Sequence, residues 1–210
     1  MKLIYFDGKG RGEKIRYLFA CAGEDFEDFR YPTTYGVPGD RSTRSRPEFE
    51  AAKASGVHDV NMGKLPILEG EGGVLIPQSR AIERYVAKKF GMMGSTDEEA
   101  AFIDGMCEHQ RDISEAQRAA RRDDKIDEYF AEGLPKSLGL IEKIIADKPG
   151  PFMLGDKPTL VDVSFYVWLC DGGDEKFAKA YEATPKLKAA MEAFGALDTV
   201  KAWQAKRDAA

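Results

Sequence analysis

The chain is poor in the residues that make metal and thiol chemistry. Its 210 residues include three cysteines and two histidines. Cys21, Cys107 and Cys170 lie far apart, with no CxxC pair and no zinc-ligand spacing. His58 and His109 alone give a metal site little to draw on, and none is expected. Cys21 falls in an apolar helix pattern and reads as a small core residue. Long apolar runs are missing too: none approaches the roughly 20 residues of a membrane span. The N-terminal run Met1 to Phe6 meets Asp7 and Gly8 at once, which suits a strand and not a signal peptide. There is no excess of positive charge. A net charge of −5 argues against a general nucleic-acid binder. The basic cluster Arg118, Arg121, Arg122 and Lys125 is interrupted by Asp123, Asp124 and Asp127, as in a solvated helix face. What remains is ordinary for a water-exposed globular protein, 43% hydrophobic and 32% charged. The length suffices for one or two domains, and the expected location is the cytoplasm.

The pattern changes half-way along. Lys2 to Phe6 reads as a strand, Gly8-Lys9-Gly10-Arg11-Gly12 as a glycine-rich bend, and Ile15, Leu18, Phe19 and Ala22 as one helix face stopped by Gly23. The bend resembles part of GxGxxG, but its third glycine comes one residue early and no acidic residue follows a second strand. A dinucleotide loop is therefore not supported. A short strand around Phe26 to Tyr31 ends at Pro32, and the stretch to Arg46 reads as a long loop. Pro47 to Lys53 suits a short helix with proline in its first turn, and Gly56 to Met62 is irregular. Ile67–Glu69 and Val74–Ile76 flank Gly70-Glu71-Gly72-Gly73 as a hairpin, followed by a helix to about Lys89. The order β-α-β-α-β-β-α suits one sheet with helices on its faces. After a linker at Gly91 to Gly94 all is helical, over about 97–120, 125–147, 159–170, 174–181 and 185–208. Thr159 and Asp162 have capping-box spacing, which makes Asp162 a buried structural cap. The fold class is thus an α/β N-terminal domain, 1–89, followed by an all-α C-terminal domain, 96–210.

Gly63-Lys64-Leu65-Pro66-Ile67-Leu68 and Gln78-Ser79 carry the first functional signal. Pro66 opens a strand, where its missing N–H does least harm. An X-Pro bond takes the cis form at modest cost, and here it would turn the Leu65 N–H and C=O outward to pair with an extended peptide. Ser79 precedes the helix pattern Ala81, Ile82, Tyr85, Val86. The start of a helix offers unpaired N–H groups and the positive end of its dipole to a carboxylate. Together they suggest a site for a small anionic peptide.

These residues resemble the cytosolic glutathione transferases. Lys2 to Phe6 followed by Gly10-Arg11-Gly12-Glu13-Lys14-Ile15-Arg16 is similar to the start of the tyrosine-type classes, the sigma class most of all. Lys64 to Leu68 and Gln78 to Ile82 match the proline and glutamine-serine motifs. Gly155-Asp156-Lys157-Pro158-Thr159-Leu160-Val161-Asp162 matches the C-terminal folding motif. The resemblance implies a thioredoxin-like first domain, a homodimer and glutathione as co-substrate. By position it makes Tyr5 the catalytic tyrosine and Arg11 its neighbouring cation. Leu65, with Lys64 and Pro66, offers backbone and polar contacts to glutathione. Gln78 and Ser79 hold the γ-glutamyl end, and Asp112 reaches the amine of the other subunit's glutathione. The family's aromatic and lysine for the glycyl carboxylate are replaced here by Arg46-Pro47-Glu48-Phe49, so Arg46 and Lys53 are the candidates for that end. The second substrate, a hydrophobic electrophile, is expected between the domains against Gly8, Lys9, His109, Gln110, Ile113 and Trp168.

The chemistry fits that assignment. An ordinary thiol of pKa ~8.5 is only a few per cent thiolate at neutral pH. A tyrosine hydroxyl donating to sulfur, with Arg11 near, can supply the roughly 2.7 kcal/mol that a two-unit drop requires. Three other readings stand beside it: a non-catalytic structural or ligand-binding protein on the same fold, a thiol–disulfide oxidoreductase, and a glutathione-dependent prostaglandin isomerase. The anion-binding residues argue against the first, and the lack of a cysteine near Tyr5 to Glu13 against the second.

Overall fold

A computed structural model describes residues 1–38, 40–172 and 175–209. Gly39 of the long loop, Asp174 at the expected start of one helix and Ala210 at the domain end lie outside the described residues. The protein divides into two compact units, one of Met1–Phe19 with Gly23–Val86, the other of Ala20–Ala22 with everything from Ala87 onward.

The first unit is a thioredoxin-like α/β domain. Strand β1 (Lys2–Phe6) leads through a 3₁₀ turn at Gly10–Gly12 into α1 (Glu13–Ala22), then β2 (Glu27–Tyr31). Gly23, at φ +69°, ends α1 in the left-handed region, and Glu24 donates back to Phe19 C=O at 3.0 Å. Stacking of Phe19 on Phe26 at 4.4 Å fixes the return toward β2. β2 runs parallel to β1, and β5 (Ile67–Glu69) antiparallel to its other side, with β6 (Leu75–Pro77) at the edge. The order β2-β1-β5-β6 puts β1 in the interior, so its C-terminal residues Tyr5 and Phe6 emerge at the middle of one sheet end. Leu3, Ile15, Leu18, Phe19, Leu68 and Ile82 are fully buried and form the core under α1 and α3 (Ser79–Lys89).

Two irregular stretches have more order than their composition suggests. The loop after Tyr31 contains a two-stranded hairpin, β3 (Thr34–Tyr35) with β4 (Arg44–Ser45), before α2 (Pro47–Ala54). The Asp40 side chain accepts from Ser42 N–H at 2.8 Å and shapes its turn. Gly56 to Met62 holds a 3₁₀ turn at Asp59–Asn61.

The second unit is helical. Its long α4 (Asp97–Arg122) opens with a capping box between Thr96 and Glu99. The expected helix 125–147 is broken into α5 (Ile126–Glu128), a π-helical turn at Tyr129–Gly133 and α6 (Leu134–Ile145). α7 (Leu160–Leu169) is buried almost all round, as its apolar sequence demands. Asp162 caps it as expected: fully buried, it accepts from Met153 N–H, Thr159 N–H and Thr159 Oγ1 at 2.8–2.9 Å. α8 spans Glu175–Ala180. The single helix expected over 185–208 is two, α9 (Pro185–Gly195) and α10 (Asp198–Asp208). The break follows Gly195, where a Cβ would come within 2.9 Å of the Tyr166 ring. Glu142 caps α9 by accepting from Lys186 and Leu187 N–H at 2.8 and 2.9 Å.

Candidate active site

The turn after β1 folds back over the ring of Tyr5. The backbone N–H of Arg11 donates to Tyr5 Oη at 2.9 Å. A Cβ at Gly10 would stand 2.6 Å from that oxygen, and one at Gly12 2.7 Å from Tyr5 Cδ1. Gly10 and Gly12 therefore give clearance to an aromatic ring, while Gly8 serves the turn through its positive φ of +138°. Tyr5 is half-buried and gives its own hydroxyl proton to no acceptor among the described residues.

Behind the ring lies a buried charge network. Arg16 is 0% exposed and Glu13 1%. Arg16 Nη1 donates to Gly8 C=O at 2.7 Å and to Glu13 Oε2 at 3.0 Å, while its Nε reaches both Asp28 oxygens at 3.0 and 3.1 Å. Arg30 donates to Asp28 as well, at 2.8 Å. The Arg16 guanidinium carbon is 5.9 Å from the centre of the Tyr5 ring. It thus ties the start of the glycine turn to α1 and β2, and removing either partner of such a pair leaves an uncompensated buried charge. The periodicity of α1 marks a face but not this role. The available signal is an arginine inside the unbroken run Ile15 to Phe19, all of which is buried.

The second half of the site is built on Asn61, which sequence reasoning missed. The Leu65–Pro66 bond is cis. Asn61 is 3% exposed, and its Nδ2 donates to the carbonyls of Lys64 and Pro66 at 3.0 and 2.9 Å. Between those two carbonyls, the Leu65 N–H and C=O take no partner among the described residues. Asn61 Oδ1 accepts from Gln78 Nε2 at 3.1 Å. One buried amide therefore joins the proline loop to the start of α3 and leaves Gln78 Oε1 as an acceptor. Gln78 has φ +68°, left-handed backbone that a non-glycine residue adopts at a cost of order 1–3 kcal/mol and that clusters at ligand sites. Its C=O receives Ile82 N–H, so α3 begins with Ser79. No local pattern marks Asn61, because its partners are set by the fold.

Arg46, the residue before α2, lies on the face of Phe6 with its guanidinium carbon 3.5 Å from the ring centre, and its Nε donates to Thr33 Oγ1 at 3.0 Å. Phe6 follows Tyr5, so Arg46 stands at the same sheet end. Lys53 runs along the loop before Pro66: a Cβ on Gly63 would come 2.9 Å from its Cε. Lys64 is exposed beside it.

The remaining candidates are spread over other elements. Gly8 and Lys9 are exposed in the first unit. In the second, His109 and Asp112 are exposed on α4, Ile113 is half-buried, and Gln110 is buried. The Ile113 C=O accepts from Tyr129 Oη at 2.8 Å, which holds α4 against the π-helical turn. Trp168, half-buried on α7, gives its Nε1–H to Gln117 one turn beyond Ile113, over a long 3.5 Å. It also meets Phe165 and Phe177 edge-on. Burial raises the thiols of Cys21 and Cys170 to about 11, which leaves them protonated at neutral pH. No group of three or more His, Cys, Asp or Glu among the described residues would hold a metal ion.

Comparison with known proteins decides the family. Residues 1–88 match the glutathione S-transferase N-terminal domain model and residues 111–207 the C-terminal domain model. Glutathione S-transferase 1 of Ascaris suum is 33% identical over 172 residues, covering 77% of this chain and 75% of that one. The chain belongs to the glutathione S-transferase family. Solved transferases have the same fold. The crystal structure of the glutathione S-transferase from Ascaris lumbricoides superposes with a TM-score of 0.79 at 28% identity, covering 98% of this chain and 96% of that chain. Monomeric Na-GST-3 from Necator americanus gives 0.79 at 27% identity with the same coverage.

Proposed function

We propose that this transferase is of the tyrosine type, sigma-like, and that Tyr5 activates the thiol of glutathione for attack on hydrophobic electrophiles. The observation that carries the proposal is the bond from Arg11 N–H to Tyr5 Oη. It consumes an acceptor position on the hydroxyl and leaves its proton to donate. A phenol that accepts one hydrogen bond donates a stronger one, and a bond to an anionic sulfur is charge-assisted.

The rest of the site fits the tripeptide end to end. Leu65 offers an N–H and a C=O to the cysteinyl backbone. Gln78 Oε1 suits the γ-glutamyl ammonium, and Ser79 at the start of α3 suits its carboxylate. Lys64 and Lys53 add positive charge along the loop, and Arg46 offers a guanidinium fork for the glycyl carboxylate. Asp112 is proposed to act on the glutathione of a second subunit in a homodimer. Gly8, Lys9, His109, Ile113 and Trp168 are the proposed contacts of the electrophile. A cytoplasmic location is part of the same proposal; none of the described helices is long and apolar enough to cross a membrane.

Retention on immobilised glutathione and turnover of 1-chloro-2,4-dinitrobenzene test the reading together. Retention without turnover would leave a binding protein, and no retention a scaffold. A structural role gives no reason for the strained Gln78 or for the clamp on the Leu65 loop.

A further inference from the structure

The β3–β4 hairpin ends where α2 begins, and a cavity of about 310 Å³ opens at that junction, lined by Arg44, Ser45, Arg46, Pro47 and Glu50. Arg46 gives Nε to Thr33 and rests on Phe6, which leaves its terminal nitrogens for a ligand. Arg44, exposed on β4, makes no ion pair among the described residues. Arg46 is held below its ordinary range by burial first and by the neighbouring Arg44 cation second. Glu50 lies on the same rim; its charge favours the Arg46 cation, but it makes no ion pair with either arginine among the described residues. A negatively charged ligand favours two neighbouring guanidiniums.

A glycyl carboxylate occupies one guanidinium fork. That leaves Arg44 and most of the cavity unused. We propose that the cavity takes a second carboxylate, so that the enzyme accepts γ-glutamyl-cysteinyl peptides with an acidic C-terminal residue. Arg46 meets the α-carboxylate of that residue and Arg44 its side-chain carboxylate. Two methylenes and a carboxylate distinguish glutamate from glycine, a small addition for this volume. Glu50 opposes an anion on its side of the rim and directs the side chain toward Arg44. This inference rests on the glutathione reading of Tyr5, Leu65 and Gln78.

Calorimetric titration of the full-length protein with γ-Glu-Cys-Gly, γ-Glu-Cys-Glu and γ-Glu-Cys-Gln, reduced and at low salt, tests it. The last two peptides have nearly the same shape and differ by one charge. The glutamate peptide is expected to bind about fivefold tighter than the glutamine peptide, an effect of the size of a good exposed ion pair. The preference shrinks as salt is raised. Arg44→Met brings the ratio to about one, and Arg44→Lys keeps part of it. Equal affinities in the unaltered protein, or a preference that survives Arg44→Met, overturn the inference while glutathione still binds. Failure of all three peptides to bind overturns the glutathione reading and this inference with it.

Discussion

Arg11 is joined to Tyr5 through its backbone: its N–H donates to the tyrosine hydroxyl at 2.9 Å. A substitution at position 11 therefore removes the cation but keeps that bond, whereas Tyr5→Phe removes the hydroxyl and keeps the ring between Gly10 and Gly12. Tyr5→Phe is expected to fold with a loss of about 1 kcal/mol. Its conjugation rate at pH 7 falls roughly 25-fold if the hydroxyl accounts for a two-unit drop in thiol pKa, from ~8.5 to ~6.5. Ultraviolet titration of the bound thiolate checks this, with the apparent pKa moving up toward ~8.5. An unchanged thiol pKa with full activity would remove Tyr5 from the mechanism.

The glycine turn makes a separate prediction. Gly12 does not occupy the left-handed region, so its requirement for glycine is steric: a Cβ would lie 2.7 Å from Tyr5 Cδ1 and 3.0 Å from Cγ. Gly12→Ala is expected to lower stability by about 1–3 kcal/mol through overpacking. Contacting residues couple in a double-mutant cycle. In a Tyr5→Ala background the same substitution therefore loses much of its effect. Equal losses in both backgrounds, measured by urea unfolding, would show that the clash lies elsewhere.

Asn61 gives the clearest separation of binding from chemistry. Its amide serves two carbonyls and Gln78 at once. Asn61→Ala leaves those buried groups unpaired, at about 1–3 kcal/mol each where water does not reach them. The loop that presents Leu65 and the side chain of Gln78 both loosen. KM for glutathione is expected to rise about tenfold, with kcat changing much less. Asn61→Asp is expected to be worse, since it offers no donor to Lys64 and Pro66 and buries a charge. A kcat loss at constant KM in steady-state assays would contradict a positioning role.

The fold is largely legible in the sequence because each element obeys a local rule. Ile15, Leu18 and Phe19 show the helical period, Gly23 ends the helix, and Thr159 with Asp162 have capping spacing. What stays hidden depends on contacts that no helical period, strand alternation or cap spacing marks. The apolar pattern runs on past the break between α9 and α10, and the need for glycine at 195 comes from Tyr166, whose ring a Cβ would meet at 2.9 Å. The β3–β4 hairpin is two residues per strand, too short for alternation to appear. In the site, Tyr5, Leu65, Gln78 and Ser79 can be named from motifs. Asn61 and Arg16 cannot, since their roles consist of hydrogen bonds to backbone groups and side chains that only the folded protein brings near.

His58 contributes a pH dependence to the stability of the first unit. It is 1% exposed, stacked on Phe49, with Nε2 2.9 Å from Tyr31 Oη and Nδ1 buried without a partner. Its backbone carbonyl accepts from Asn61 and Gly63 N–H, so it supports the loop that leads to Pro66. Burial lowers its pKa below the ordinary value of 6.5. A base with a lowered folded pKa binds fewer protons folded than unfolded in the window between the two values. Stability from this group is therefore complete above about pH 6.5 and declines as pH falls below it. His58→Phe keeps the stacking and removes the titration. At pH 8 it is expected to melt lower than the unaltered protein, because Tyr31 loses its partner, by an amount of order 1–3 kcal/mol. Below pH 6.5 its Tm should fall less steeply. Parallel Tm curves for the two proteins between pH 8 and pH 5 would assign the acid sensitivity to other groups.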